Sequence, residues 1–135
     1  MGQSFIDHAR KKVVREKWNT PLLTRLHKSW NAKFFYCGLP GPEAIDIRLW
    51  KDMISRVVAF QTEGNDPANP RREVVELGRQ LALLSLRNSI YVGPLEEVLL
   101  RQIDYDGREF LIDDLVTLYN LDFCNAITGT VYTQQ

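Results

Sequence analysis

The segment Lys33–Glu63, KFFYCGLPGPEAIDIRLWKDMISRVVAFQTE, decides the fold of this chain. The continuous apolar run 34–37 is typical of a strand buried on both faces, and the run 57–60 predicts a second such strand. The glycine- and proline-rich run 38–42 predicts a turn, and apolar residues at helical spacing over 43–54 predict a helix. A parallel unit of this kind places the turn and the polar end of the second strand at one edge of a sheet, where ligands of open α/β sheets bind.

The rest of the chain continues this alternation of strands and helices. The patterns predict a helix over 71–86, a strand over 89–92, a helix over 95–103 and a strand over 115–123. Alternation argues for an α/β fold with a mainly parallel sheet of about four strands and helices on both faces. A flavodoxin-like or other nucleotide-binding arrangement would give the same pattern.

Two predicted helices precede the first strand. The first covers Phe5–Trp18 and ends at Asn19, and the second begins with Thr20 as its cap and Pro21 at its first position. His27 lies beside the apolar stripe of the second helix, where a lone histidine more often has a structural than a catalytic role. The organisation is therefore an N-terminal helical arm over 1–32 followed by an α/β domain over 33–135.

The formal net charge of zero hides an uneven distribution of charges. Residues 1–33 carry eight Lys/Arg against two Asp/Glu, whereas the remainder carries nine against fifteen. A basic arm of this kind could contact the phosphate backbone of a nucleic acid. The alternative, which the sequence favours, is a solvated helix face that docks on the acidic domain of the same chain.

Composition excludes several classes of protein. The 135 residues suit one domain, with 44% hydrophobic and 25% charged residues. No apolar run approaches the roughly 20 residues that span a bilayer, and the N-terminus lacks the apolar stretch of a signal peptide. Cys37 and Cys124 lie in apolar surroundings, which predicts reduced core thiols. We expect a cytoplasmic protein with no membrane partner, disulfide or zinc site.

The familiar phosphate-binding, hydrolase and metalloprotease motifs are absent from the sequence. The turn GLPGP allows close backbone approach, yet its two prolines remove donors, so a ligand-lining turn and a merely tight connection remain equal alternatives. Glu63, after the second strand, could accept hydrogen bonds from ribose hydroxyls or be an exposed loop acid. Asp122 lies in an apolar strand and needs a partner or ligand. Asp113 and Asp114 point apart on a strand and predict a solvated edge.

With these motifs in view, residues 33–125 resemble the first half of a class I S-adenosylmethionine-dependent methyltransferase, which has a Rossmann-like three-layer α-β-α fold. FFYCG and its LPG turn take the place of the family's glycine-rich motif. RVVAFQTE resembles the second strand with its ribose-binding acid, and SIYVGPLEEVL resembles the third strand and its turn. The cofactor-binding positions that this resemblance implies are Cys37, Gly38, Gly41, Glu63 and Gly93.

LVTLYNLDFCN resembles the family's fourth strand, which implies that Asn120, Asp122 and Asn125 act beside the transferred methyl group. The chain departs from the family in its glycine turn, in the missing acid after Gly93, and in ending soon after the fourth strand. We therefore expect a fragment or a divergent member, and a homo-oligomer or a completing chain along the edge of strand four. The alternative function is a non-catalytic Rossmann-like binding or assembly module.

Overall fold

The computed structural model describes residues 9–121. Its centre is one four-stranded sheet in which every neighbouring pair of strands is parallel, in the order β3-β2-β1-β4. The prediction of a Rossmann-like α/β fold is confirmed by this sheet and by the helices on its two faces. The strands are β1 (Phe34–Gly38), β2 (Ile54–Gln61), β3 (Arg87–Val92) and β4 (Leu118–Asn120).

Among residues 9–121, five α-helices, one π-helical turn and one 3₁₀ turn surround the sheet. The α-helices are α1 (Ala9–Val14), α2 (Thr20–Trp30), α3 (Ile45–Trp50), α4 (Arg72–Leu83) and α5 (Leu95–Arg101). A π-helical turn, Arg15–Asn19, joins α1 to α2, and a 3₁₀ turn, Lys51–Met53, joins α3 to β2. No helix among residues 9–121 is both long enough and apolar enough to cross a membrane.

Alternate residues of the central strands enter two separate cores because successive side chains of a strand point to opposite faces. Phe34 and Tyr36 of β1 join Ile47 of α3 and Leu77 of α4 on the first face. On the second face, Phe35 and Cys37 of β1 join Phe60 of β2, Tyr91 of β3, and Leu95 and Val98 of α5. The apolar run that predicted β1 is continuous because this strand is covered on both sides.

The sequence predicts that the first helix of the arm ends at Asn19. In the structure, the chain instead stays helical through the π-helical turn. The backbone N–H of Thr20 donates to the carbonyl of Arg15, five residues earlier. A proline ring clashes with the carbonyl four residues before it in a regular α-helix. The wider turn relieves that clash for Pro21, so the chain stays helical. Leu23 of α2 then packs in the core of the first face.

Several element boundaries differ from the sequence prediction. The helix predicted over 43–54 ends at Trp50, and Ile54 already pairs with Phe34 as the first residue of β2. Within the described residues, the fourth strand is reduced to three residues. Pairing with β1 nevertheless reaches back to Thr117, whose backbone N–H donates to the carbonyl of Phe35 (3.1 Å) and whose hydroxyl accepts from the Phe35 N–H (2.9 Å).

Candidate functional site

The carboxyl ends of the four parallel strands share one edge of the sheet, hereafter the carboxyl edge. The helices α3 and α4, which follow β1 and β2, lie on the first face, whereas α5, which follows β3, lies on the second. The direction of the crossovers therefore reverses between β1 and β4. In open α/β sheets, ligands bind in the crevice at this reversal. The fold places the candidate site at the ends of β1 and β4, with the end of β2 beside it.

Cys37 and Gly38 at the end of β1 are both used by the fold. The Cys37 side chain is buried among the apolar residues of the second face. Burial raises the pKa of its thiol from 9.0 to about 11, so the group is a neutral core thiol at physiological pH. A Cβ at Gly38 would collide with the carbonyl oxygen of Asn120 on β4. The close approach of two strands therefore accounts for this glycine.

Two backbone N–H groups in and after the turn that follows β1 are already bonded to carbonyls of the protein. Gly41 has a φ of 76°, and its carbonyl accepts the N–H of Ala44 (3.2 Å). The N–H of Leu39 donates to the carbonyl of Asn120 (3.0 Å). Pro40 and Pro42 have no N–H to offer. These contacts favour the tight-connection interpretation over a cradle for phosphate.

A polar network covers the crevice between β1 and β4. The Asn120 side-chain amide donates to Asp46 Oδ2 (2.8 Å), and Arg15 Nε donates to Asp46 Oδ1. The Arg15 side chain is only 11% exposed and that of Asp46 is 21% exposed. Asp46 lies in the first turn of α3, where the helix dipole favours a carboxylate. The network connects the N-terminal arm, α3 and β4 at one point.

Neither Asp46, the side-chain partner of Asn120, nor Arg15, which pairs with Asp46, was predicted from the sequence. An acid in the first turn of the helix after the Gly-Pro turn was a usable signal for Asp46. Arg15 gave no such signal, because its position beside Asp46, 31 residues away, depends on how the arm packs.

Glu63 lies two residues beyond β2, on the carboxyl edge, and its carboxylate already has a partner. Arg71 Nε donates to Glu63 Oε2 (2.6 Å). The two terminal nitrogens of the same guanidinium donate to the two carboxylate oxygens of Asp106, which makes a bidentate ion pair. The hydrogen bonds that Arg71 donates, to Asp106 first and to Glu63 second, hold the pKa of Arg71 well above its ordinary value. Arg71 in turn lowers the pKa of Asp106. The Glu63 side chain remains 40% exposed, so a ligand could reach it, and water weakens the pair.

Gly93, directly after β3, is covered by the loop that follows α5. A Cβ on Gly93 would lie 3.1 Å from the Tyr105 ring, and the Gly93 φ of 132° disfavours other residues. Buried Asp104 holds this loop, since its carboxylate accepts the backbone N–H groups of Val92, Asp106 and Arg108 (2.8–2.9 Å). The protein itself therefore occupies the position beside Gly93.

The structure thus brings Gly38, Gly41 and Asn120 together, with Glu63 and Gly93 further along the same edge. Asp122 and Asn125 lie outside the described residues. Within residues 9–121, no group of three or more His, Cys, Asp or Glu side chains is placed to hold a metal ion. His27 Nδ1 lies 2.9 Å from the carbonyl of Ala32 and its ring packs near Phe34, which suits a structural role.

Asp113 pairs with Arg56 at 2.7 Å on an exposed surface, and this arginine lowers the pKa of the carboxyl group. Asp113 and Asp114 are exposed, but they lie in the segment between α5 and β4 and not on a strand.

No protein-family model matches the chain, and neither a curated protein nor a solved structure is significantly similar to it.

Proposed function

We propose that this chain is a methyltransferase-like Rossmann domain that binds S-adenosylmethionine or a related nucleoside at the carboxyl edge. One observation carries the proposal: Glu63 follows β2, next to the crossover reversal of the sheet, and is exposed. A carboxylate at this position can accept hydrogen bonds from the two hydroxyls of a ribose. The Arg71 Nε–H now bonded to Glu63 shows that the carboxylate accepts a donor in this geometry.

The remaining cofactor positions fit the ligand less well. Gly38 is closed by β4 and Gly93 by Tyr105, so neither glycine leaves room for a ligand in this conformation. The proposal therefore concerns the ribose-binding carboxylate first and methyl transfer second. Transfer would need an acceptor whose lone pair bonds to the methyl carbon while the sulfonium C–S bond breaks, which requires mainly positioning. Asn120, Asp122 and Asn125 stay the proposed acceptor-side residues, and the acceptor itself is unassigned.

Calorimetry with S-adenosylmethionine, S-adenosylhomocysteine and adenosine tests the ribose role. Glu63→Ala should weaken binding about tenfold or more, because a lost hydrogen bond to a charged group is worth roughly 1.5–3 kcal/mol. Glu96→Ala, an exposed acid in the first turn of α5, is the matched control and should bind as the wild type does. No heat and no thermal shift with folded protein at millimolar ligand, or equal affinity of Glu63→Ala, would contradict the proposal.

A second candidate function is a non-catalytic binding or assembly module that contacts nucleic acid through its basic arm. It is favoured because the fold itself uses Gly38, Asn120 and Gly93. The module would self-associate, or accept a completing chain, along β4, where Tyr119 is 63% exposed. An edge strand with open backbone groups can pair with a further strand. Sedimentation over a range of concentrations should show an association that Tyr119→Lys reduces, and a strictly monomeric wild type would reject this edge.

A further inference from the structure

The outward face of the N-terminal helices carries exposed aromatic and aliphatic side chains. Trp18 is 71% exposed and Leu22 is 55% exposed. In α2, residues three and four apart lie on one face, so Leu22 shares its side with Arg25 and Ser29, about 100° around the helix from the buried Leu23. Trp18 lies one turn earlier. This outward surface, with Lys17 and Arg25 beside Trp18 and Leu22, is called the arm face below.

The charge of the same helices is strongly positive and mostly uncompensated. Residues 9–30 contain seven Lys or Arg and one Glu. Among the described residues, Arg15 forms an ion pair with Asp46 of the domain. Within residues 9–30, five exposed cations take part in none of the ion pairs of the described residues: Arg10, Lys12, Lys17, Arg25 and Lys28.

The contacts that hold the arm on the domain explain why these cations form none of the ion pairs. Leu23 and Leu26 pack against the core of the first face, and the Trp50 indole N–H donates to the Thr20 hydroxyl (2.8 Å). Apolar packing, the Trp50–Thr20 hydrogen bond and the Arg15–Asp46 ion pair hold the arm, and the five exposed cations take no part in these contacts. The sequence favours the alternative of a solvated helix face that docks on the domain of the same chain, and the ion pair of Arg15 with Asp46 is one contact of that docking.

We infer that the arm face binds single-stranded nucleic acid, with the exposed cations on phosphates and Trp18 stacked on a base. A row of phosphates complements several cations spread along a helix, and each contact releases counterions. An exposed indole gains most from an unpaired base, since a base inside a duplex is already stacked. This inference deepens the second candidate function, on whose nucleic-acid contact it rests, and it is independent of the nucleoside site at Glu63.

Fluorescence anisotropy with a labelled single-stranded oligothymidylate, compared with a labelled duplex of the same length, tests the inference. Trp18→Ala should weaken single-strand binding about tenfold, and Trp18→Phe should restore most of it. Arg25→Gln should reduce the slope of log K against log salt by about 0.7, the value for one phosphate contact on a single strand. The control variants Leu100→Ala and Arg101→Gln also replace exposed side chains, but on α5, and they should leave binding unchanged.

Tryptophan fluorescence supplies a second measurement that separates binding from unfolding. In a Trp30→Phe background, which removes the other exposed indole of the arm, titration with the oligonucleotide should quench Trp18, whereas Trp50, which is 3% exposed, reports whether the core is intact. No binding of any nucleic acid at low salt would reject both the inference and the nucleic-acid contact of the second candidate. Binding that prefers duplex, or is unchanged in Trp18→Ala, would overturn the stacking inference alone. Equal affinity for a polyglutamate competitor would assign the arm face to an acidic protein instead.

Discussion

Gly38 is the last residue of β1, and the backbone of Asn120 on β4 lies directly over its α-carbon. The sequence offered two explanations for a glycine at this position, contact with a ligand or close approach of another part of the backbone. The geometry supplies the second, because any Cβ would separate two hydrogen-bonded strands. At the scale of single residues, therefore, a glycine that the sequence offers for ligand binding is required here by the packing of two strands.

Gly38→Ala is expected to lower the free energy of unfolding by about 1–3 kcal/mol, the usual cost of forcing an extra carbon into a packed region. Urea denaturation followed by circular dichroism measures the change. Gly78→Ala in α4 is the control, since its new methyl group would meet only Ile90 Cδ1 at 3.7 Å. A helix-interior alanine should raise stability by roughly 0.5–1 kcal/mol. Equal effects at the two glycines would contradict the strand-contact explanation.

The buried thiol of Cys37 is expected to lower the free energy of unfolding at alkaline pH. Burial raises its pKa in the folded protein to about 11, while the unfolded thiol titrates near 9.0. The unfolded chain therefore loses this proton first, so the contribution is complete below pH 9 and disappears as the pH rises to 11. Its size is about 2 kcal/mol.

The measurement compares urea unfolding from pH 8 to 11 for Cys37→Ala and its parent, both in a Cys124→Ser background. The difference in stability between the two proteins should shrink by this amount across the window. A constant difference would mean that the Cys37 thiol is not desolvated.

The contact between α2 and α3 shows how elements that are separate in sequence become one unit. Thr20, expected to cap a new helix, instead accepts a hydrogen bond from the indole of Trp50. No side-chain hydrogen bond caps the start of α2. Because the π-helical turn keeps the chain helical through Pro21, the N–H groups that a cap would satisfy are already within a helix.

Replacing Thr20 with valine keeps the shape but removes the acceptor for the buried indole N–H. We expect Thr20→Val to lower the free energy of unfolding by about 1–3 kcal/mol, the cost of an unsatisfied buried donor. Thr24→Val is the matched control, because the Thr24 hydroxyl bonds only to the carbonyl of Thr20 within the same helix (2.8 Å). Its effect should stay well below 1 kcal/mol. Chemical denaturation measures the free energy of unfolding of both variants. A larger loss in Thr24→Val than in Thr20→Val would contradict the role given to the hydrogen bond between Thr20 and Trp50.

At the scale of the whole molecule, burial decreases from the centre of the sheet outward. In β2, the last five residues are all buried, whereas the three residues of β4 are partly or fully exposed. β2 is paired on both sides, and β4 is paired with β1 alone among the described residues. Stability is therefore expected to be lowest at the edge formed by β4.

Native-state hydrogen exchange should show this gradient. The amides of Val57–Gln61 should exchange only through global unfolding, and those of Leu118–Asn120 should exchange through a local opening of lower free energy. Exchange at several denaturant concentrations distinguishes the two routes. If β4 were as protected as β2 at protein concentrations where the chain is monomeric, the edge assignment would be wrong; protection that appears only at high concentration would support self-association through β4.

The sequence by itself determined the number, order and direction of the strands and the burial of β1 and β2. Local periodicity records which faces of an element are covered, and short crossovers leave few parallel topologies. It also identified Glu63 at the carboxyl edge, because strand direction fixes where a strand-terminal acid lies.

Only the tertiary structure decided what these residues contact: Arg71 on Glu63, Tyr105 over Gly93, and Arg15 with Asp46 at Asn120. It also left the cations of the arm face unpaired. These outcomes depend on side chains from distant segments meeting in space, and local sequence patterns carry no information about those distances.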